Sequence, residues 1–341
     1  MQFIELKEIA MPNKLGFYLH SSQNNDGLWD LFQRAKPPVI LIHMESKDDI
    51  LLTQMRDWRS PNTFVVGRLG MARDEQRAFL DDPNPEAAGQ RLAEKIFNKD
   101  RSFMLKRHPD TSDGRLLVDA WMSLNECIEG PSWEEWSVQT DDWRRETLER
   151  HHRYDLLQVA FRRRLREFIP GVEAVAFNFG AGNFKQAQQY MEHYPETLKE
   201  YTYLGFHEYG WPAMAKHLLA EPVKTDAGLF PAIMQGIRAK HGDRYKAIIT
   251  EAGLARAHLH HGDAAGDVGW LNQTEPRTQE EYWASLQWYN DLLLQNGASV
   301  LGACLYQVGW MDDWKSFRLL GEDNQGKRID IMDWVADRLA N

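Results

Sequence analysis

Two glutamates in this sequence follow short apolar runs, at places where a carboxylate could do chemistry. Glu251 stands in "AIITEAG", after the run 247–249, and Glu126 closes "SLNE" at the end of the run 116–126. A carboxylate at the rim of a buried strand loses hydration, which costs free energy unless another group pairs with it or a reaction uses it. Two such groups that meet can divide a reaction between them, one donating a proton and the other attacking or activating water.

The elements that would position these glutamates are short apolar runs alternating with helical patterns. We predict strands at 15–20, 39–44, 63–70, 116–126, 173–180, 201–210, 247–253 and 299–310. Amphipathic stretches predict helices at 84–97, 149–168 and 278–297, the last opening with a capping box of Thr278 and Glu281. This order predicts an α/β fold, a single-domain (β/α)₈ TIM barrel over residues 1–341. A doubly wound open sheet is the alternative, but no Gly-rich phosphate loop follows the first run.

A barrel would bring the two glutamates together. The carboxyl ends of its strands open on one face, and strands four and seven lie across the mouth from each other. The long connections 127–148 and 252–277 would form walls on that face. Glycoside hydrolysis uses such a carboxyl pair, about 5–5.5 Å apart in the retaining mechanism. We therefore predict a retaining glycoside hydrolase of oligo- or polysaccharides, with Glu126 as acid/base, Glu251 as nucleophile and no cofactor.

These motifs resemble those of the clan A glycoside hydrolases, retaining barrel enzymes that include many cellulases and mannanases. The resemblance extends from about residue 15 to 310 and rests on "NE" after strand four and on the glutamate of "ITEAG" after strand seven. It implies that Asn125 contacts the sugar 2-hydroxyl and that Tyr209 steadies the nucleophile. It also implies roles at the site for three further residues, His207 of "FHEYGWP", Trp310 of "YQVGW" and Arg68 of "VVGRLG".

Three other polar residues at strand ends are open to two interpretations. His20 and Asn178 end strands one and five, and each is a candidate for a sugar contact or for packing at the barrel mouth. Glu208 lies between His207 and Tyr209, where it could compete for a catalytic role. Because successive side chains of a strand point to opposite faces, we expect Glu208 to point away from the mouth, into a supporting contact or a surface salt bridge.

Composition limits the possible partners. A formal net charge of −10 argues against binding to nucleic acid or to an anionic membrane surface. No apolar run is long enough to cross a bilayer and no signal peptide is recognisable, so we expect a soluble protein, either cytoplasmic or secreted and shown without its leader. Tryptophans in Gly/Pro-containing connections favour a carbohydrate-binding surface: Trp133, Trp136, Trp211, Trp270, Trp310 and Trp314.

Two alternatives to a glycoside hydrolase are kept. A carbohydrate-binding barrel that has lost catalysis would keep the tryptophans, but the intact pair of glutamates counts against it. A metal-dependent barrel hydrolase would account for the cluster "HLHHGD" at 258–263. No metal-ligand histidine pair occurs in strand one, where such enzymes usually begin their site, and we expect no metal. Cys127 and Cys304 are read as small buried side chains.

Overall fold

The computed structural model describes residues 13–20, 27–44, 60–99, 101–107, 114–128, 140–219, 223–256, 268–309 and 312–339. Within them, eight parallel strands close into a barrel: β1 Leu15–Leu19, β2 Val39–Met44, β3 Phe64–Leu69, β4 Ala120–Met122, β5 Glu173–Phe179, β6 Tyr203–Trp211, β7 Lys246–Leu254 and β8 Val300–Val308. Each strand pairs with its neighbours in sequence, and β1 pairs with β8 to complete the ring. The predicted (β/α)₈ barrel is confirmed.

Helices surround the barrel. Their bounds are α1 Leu28–Ala35, α2 Arg73–Leu80, α3 Pro85–Lys99, α4 Arg101–Met104, α5 Asp141–Phe168, α6 Ala187–His193, α7 Pro195–Glu200, α8 Phe230–His241, α9 Gln279–Gln295 and α10 Ile331–Arg338. Short 3₁₀ turns lie at Gly297–Ser299 and Asp312–Phe317. The predicted capping box starts α9, because the Glu281 N–H donates to the Thr278 hydroxyl while the Thr278 N–H donates to the Glu281 carboxylate. None of the described helices is long and apolar enough to cross a membrane.

The strands bury both of their faces, which explains why they read as continuous apolar runs. In β2, Ile40 and Ile42 pack in the large cluster between strands and helices, while Val39 and Leu41 belong to a smaller cluster of barrel-strand side chains. That alternation fixes which residues can reach the mouth, since only the inward-facing set lines the barrel.

Two β-bulges interrupt the ladder beneath the mouth. The pairing of β6 with β7 passes from Phe206–Ile249 to His207–Glu251, which leaves Thr250 as an extra residue. The pairing of β5 with β6 passes from Phe177–Gly205 to Phe179–Phe206, which leaves Asn178 extra. A bulge re-aims the residues that follow it, and the Thr250 bulge turns Glu251 toward the mouth.

Two predicted boundaries are corrected. The connection 127–148 was predicted as a loop, but α5 already begins at Asp141, where the Thr140 hydroxyl accepts the N–H of Trp143. The connection predicted to start at residue 252 also starts later, because β7 continues to Leu254.

Candidate active site

Glu126 and Glu251 meet at the carboxyl ends of β4 and β7. One carboxylate oxygen of each, together with a ring nitrogen of His207, lie within 4.8 Å of one another. The side chain of Glu251 is only 9% exposed, whereas that of Glu126 is 46% exposed. One carboxylate therefore lies on the floor of the mouth and the other stands open to solvent.

Glu251 is held by two hydrogen-bond donors. Arg68, on β3, donates to Oε1 at 2.8 Å, and the Tyr209 hydroxyl, on β6, donates to Oε2 at 3.0 Å. A carboxylate with both oxygens occupied has little rotational freedom. Burial raises the pKa of Tyr209 far above its usual value, and the Glu251 charge adds to that effect, so this hydroxyl keeps its proton and remains a donor.

His207 lies between the two carboxylates. Its Nδ1 is 2.8 Å from Oε1 of Glu126 and 3.7 Å from Oε2 of Glu251. Burial alone would lower the pKa of His207, but the two carboxylates, Glu251 first, outweigh burial and raise it. Because a carboxylate oxygen accepts, Nδ1 of His207 carries the hydrogen of this contact and donates it to Glu126.

The pKa of Glu126 is lowered in the free protein. Desolvation acts in the opposite direction, but the hydrogen bond and the charge of His207, followed by the charges of Arg68 and Arg73, prevail. Glu126 and His207 thus hold one proton between them, next to the solvent-open part of the mouth.

Two tyrosines of the site were missed by sequence reasoning. Tyr18, on β1, accepts a hydrogen bond from Arg68 at 2.8 Å, and its ring packs against Tyr306 of β8 at 4.8 Å between centroids. Burial raises the pKa of Tyr306 strongly, and the charges of Tyr18, Glu251 and Glu126 add to the rise. Strand alternation could have revealed Tyr18, since it shares a face with His20.

The remaining predicted residues differ in their placement. Asn125 follows β4, and its backbone N–H donates to Gln76 of α2 at 2.7 Å, so it stands next to Glu126. His20 stacks within 4.4 Å of the His43 ring at the mouth, and burial, followed by the Arg68 charge, lowers its pKa to about 4. A neutral His20 can serve as a polar contact for a sugar hydroxyl.

Asn178 does not fit the predicted sugar contact. Its side chain is completely buried, donates to the Val175 carbonyl at 3.2 Å and accepts the Thr250 hydroxyl at 3.0 Å. A sugar contact would require that these bonds break, so the packing interpretation replaces it.

Trp310, like Trp133, Trp136 and the histidines of "HLHHGD", lies outside the described residues. Trp211 and Trp270, predicted to belong to a binding surface, are each only 1% exposed and fill the core.

Glu208 points away from the mouth, as strand alternation predicted, but the suggested surface salt bridge is wrong. The residue is 1% exposed, and its carboxylate accepts the N–H groups of Gly228 and Phe230 and the hydroxyl of Tyr289. It therefore joins β6 to the start of α8 and to α9. Burial raises the pKa of Glu208 to about 7, although these hydrogen bonds oppose the rise.

A buried carboxyl group with a raised pKa makes stability depend on pH. Between the unfolded value near 4.5 and the folded value near 7, the native state binds more protons, so its stability falls as pH rises through this range. We expect Glu208→Gln to gain stability relative to the wild type between pH 5 and pH 8, by up to about 3 kcal/mol. Denaturant unfolding at both pH values measures the difference.

Tyr289→Phe is the matched comparison for this prediction. It removes a donor that lowers the pKa of Glu208, so it should make the loss of stability between pH 5 and pH 8 steeper than in the wild type. An identical pH dependence in the wild type and in Glu208→Gln would show that this carboxyl group does not titrate in the folded protein near neutrality.

The grouping of Glu126, His207 and Glu251 also has the spacing of metal ligands. Arg68, however, already binds Glu251 and contributes a positive charge beside the group. Its charge disfavours a divalent cation at this position.

Solved structures with similar folds are glycoside hydrolases. A β-glucuronidase of Bacteroides uniformis aligns with a TM-score of 0.54 and 13% identity, over 95% of this chain and 35% of that one. A xyloglucan-specific GH5 endo-β-1,4-glucanase from a metagenomic library, in complex with cellotriose, aligns with a TM-score of 0.50 and 15% identity, over 95% and 96%. An endo-β-1,4-glucanase of Xanthomonas axonopodis pv. citri aligns with a TM-score of 0.51 and 9% identity, over 96% and 100%.

These similarities concern the fold. The chain spans about a third of the glucuronidase and essentially the whole of the two glucanases. No protein-family model matches the sequence, and the search of curated proteins found no match. The resemblance to clan A glycoside hydrolases, first drawn from the strand-end motifs, is confirmed at the level of the barrel.

Proposed function

We propose that this protein is a retaining glycoside hydrolase that cleaves O-glycosidic bonds of an oligo- or polysaccharide. The observation that carries the proposal is the approach of Glu126 and Glu251, with one oxygen of each within 4.8 Å of the other. Retaining glycosidases hold their two carboxyl groups about 5–5.5 Å apart, whereas inverting enzymes leave roughly 6.5–9.5 Å for a water molecule. The short separation leaves no room for that water and favours direct attack by a carboxylate.

The surroundings of the two carboxylates divide the roles. Glu251, nearly buried and held by Arg68 and Tyr209, has the fixed geometry that a nucleophile needs. Glu126 is open to solvent and shares a proton with His207. An acid/base needs both properties, because it first protonates the departing oxygen and then takes a proton from the incoming water. Exchanging the roles would put the more exposed carboxylate at the step with the stricter geometry.

In the first step, Glu251 attacks the anomeric carbon and forms an ester bond, while the bond to the leaving oxygen breaks. Glu126 donates its proton to that oxygen, and His207 supplies the proton that Glu126 lacks in the free protein. Ester formation removes the charge of Glu251. In the second step Glu126 takes a proton from water, the water oxygen attacks the anomeric carbon, and Glu251 is released as a carboxylate.

Further residues of the mouth would contact the sugar. We assign Asn125 to the 2-hydroxyl of the reacting ring and His20 to a neighbouring hydroxyl, while Tyr306, which packs against Tyr18, offers an aromatic surface. A role for Trp310 at the site stays a prediction. No cofactor takes part in these steps, and the expected partner is a carbohydrate, as it is for the glucanase in complex with cellotriose.

Hydrolysis of a panel of aryl glycosides and β-linked polysaccharides tests the proposal, with ¹H NMR of the first-formed product. We expect turnover of at least one member, and a product that keeps the anomeric configuration of the substrate. The double variant Glu126→Gln/Glu251→Gln is the control for contaminating enzymes. Binding without turnover would favour the catalytically inactive carbohydrate-binding barrel, and an inverted first-formed product would contradict the retaining mechanism.

A further inference from the structure

A second set of hydrogen bonds lies directly beneath the two carboxylates. The backbone carbonyl of Asn178 accepts the N–H of Glu126 at 3.0 Å. The side chain of the same asparagine accepts the hydroxyl of Thr250, the residue before Glu251, at 3.0 Å. Asn178 is thus bonded both to the backbone that carries the proposed acid and to the strand that carries the proposed nucleophile.

The hydrogen bond between Asn178 and Thr250 joins two residues that each lie in a β-bulge. Asn178 and Thr250 are the extra residues of β5 and β7, and a bulge is a place where a strand re-aims its side chains. The Phe206 carbonyl of β6 lies 3.3 Å from the same hydroxyl and shares its single hydrogen with the nearer Asn178 oxygen. The Thr250 hydroxyl is fully buried, so its loss would leave the Asn178 amide oxygen without this donor.

The backbone beside the Asn178–Thr250 hydrogen bond is held in a conformation that costs free energy. Glu126, Phe177 and Asn178 have φ values of 50°, 76° and 55°, in the left-handed region that non-glycine residues rarely adopt. The Phe177 carbonyl accepts a hydrogen bond from the Tyr154 hydroxyl of α5, which helps to fix the bulged backbone of β5. Three strained residues in contact at one end of a barrel point to a constraint on the site above them.

Room for the connection comes from Gly205 of β6. A Cβ atom at this position would lie 2.0 Å from the Asn178 amide oxygen. Any other residue would therefore expel the asparagine side chain from its place beneath the mouth. A glycine here is explained by the connection between Asn178 and Thr250, and not by a turn.

We propose that the Asn178–Thr250 hydrogen bond is a positioning element that sets the separation and aim of Glu126 and Glu251. This inference rests on the proposed function, since it assigns a role in that reaction to residues that do not touch the substrate. Misplacing a reacting group by about 1 Å can cost on the order of a hundredfold in rate. A single buried hydrogen bond can therefore matter for turnover more than for folding.

Thr250→Val tests the proposal, because it keeps the shape of the side chain and removes the hydroxyl. We expect kcat to fall about ten- to a hundredfold with KM little changed, since the loss concerns the transition state. Thr250→Ser keeps the hydroxyl and should restore kcat to within about threefold of the wild type. Thr63→Val is the matched control. Thr63 lies just before β3, at the end of the barrel opposite the mouth, and its buried hydroxyl donates to the Pro37 carbonyl.

A second readout needs no substrate. His207 is faced by Glu126, Glu251 and Arg68, and the carboxylates raise its pKa. If Thr250→Val lets Glu251 move away by about 1 Å, the pKa of His207 should fall by about half a pH unit, which NMR titration of the free protein measures. Thr250→Ser and Thr63→Val should leave it unchanged.

The outcomes separate this inference from the proposed function. Wild-type kcat and an unchanged His207 titration in Thr250→Val would overturn it, and so would a Thr250→Ser variant as slow as Thr250→Val. If wild-type protein hydrolysed nothing in the panel, the proposed function would fail, yet the His207 titration would still decide whether the Asn178–Thr250 bond positions the carboxylates.

Discussion

Glu251→Gln is expected to abolish turnover while leaving the fold intact. The amide nearly matches the carboxylate in shape, and its one oxygen can still accept the hydrogen bond from Arg68 while its NH2 group faces the Tyr209 oxygen, but it cannot form the glycosyl ester. In well-studied hydrolases, removing a residue of the nucleophile machinery costs about 10⁴- to 10⁶-fold in kcat. Initial rates on the best substrate of the panel, with thermal unfolding as a check on folding, measure the effect.

A matched change outside the mouth completes this test. Glu208 lies between His207 and Tyr209 on β6, buried on the face opposite the mouth. Glu208→Gln therefore does not remove a group that meets the substrate. We expect it to keep most of the activity that Glu251→Gln loses. Wild-type rates in Glu251→Gln, or an equal loss in both variants, would contradict the assignment of the nucleophile.

Glu126→Ala is expected to have an effect that depends on the leaving group. Glycosides with poor leaving groups need a proton on the departing oxygen, and loss of a general acid costs about 10²- to 10⁴-fold. Activated aryl glycosides depart without that proton, so their first step should be slowed far less. A series of aryl glycosides of increasing leaving-group pKa, measured for kcat/KM, should show a much steeper decline in the variant than in the wild type.

Two results would count against this role of Glu126. Equal losses for good and poor leaving groups would mean that the residue positions the substrate and does not donate a proton. Full activity on all of them would move the acid elsewhere, with His207 as the next proton donor in reach.

The barrel and its carboxylate pair could be predicted from the sequence because both follow from local patterns. Buried parallel strands show as apolar runs, and strand order in a closed barrel places the ends of strands four and seven opposite each other. Arg68, His207 and Tyr209 were found through short motifs at strand ends, and the structure brings each of them to the carboxylates.

The remaining features depend on contacts that a linear pattern does not carry. Asn178 and Thr250 meet because each is an extra residue in a bulged strand, and a bulge breaks the alternation from which facing is predicted. The helix predicted at 149–168 starts earlier, at Asp141, because its first turns carry charged residues on all sides and show little apolar periodicity. The partners of Glu208, from α8 and α9, are distant in sequence and left no signal.

The central claim is that Glu251 forms a covalent ester with the sugar. An activated 2-fluoro glycoside of the sugar identified by the panel should form this ester faster than the ester is hydrolysed, which allows it to accumulate. Peptide mass spectrometry of the inactivated protein should then find one sugar on the peptide that contains Glu251. A sugar on the peptide with Glu126 or Glu208, or unlabelled protein that still turns over the substrate, would contradict the account.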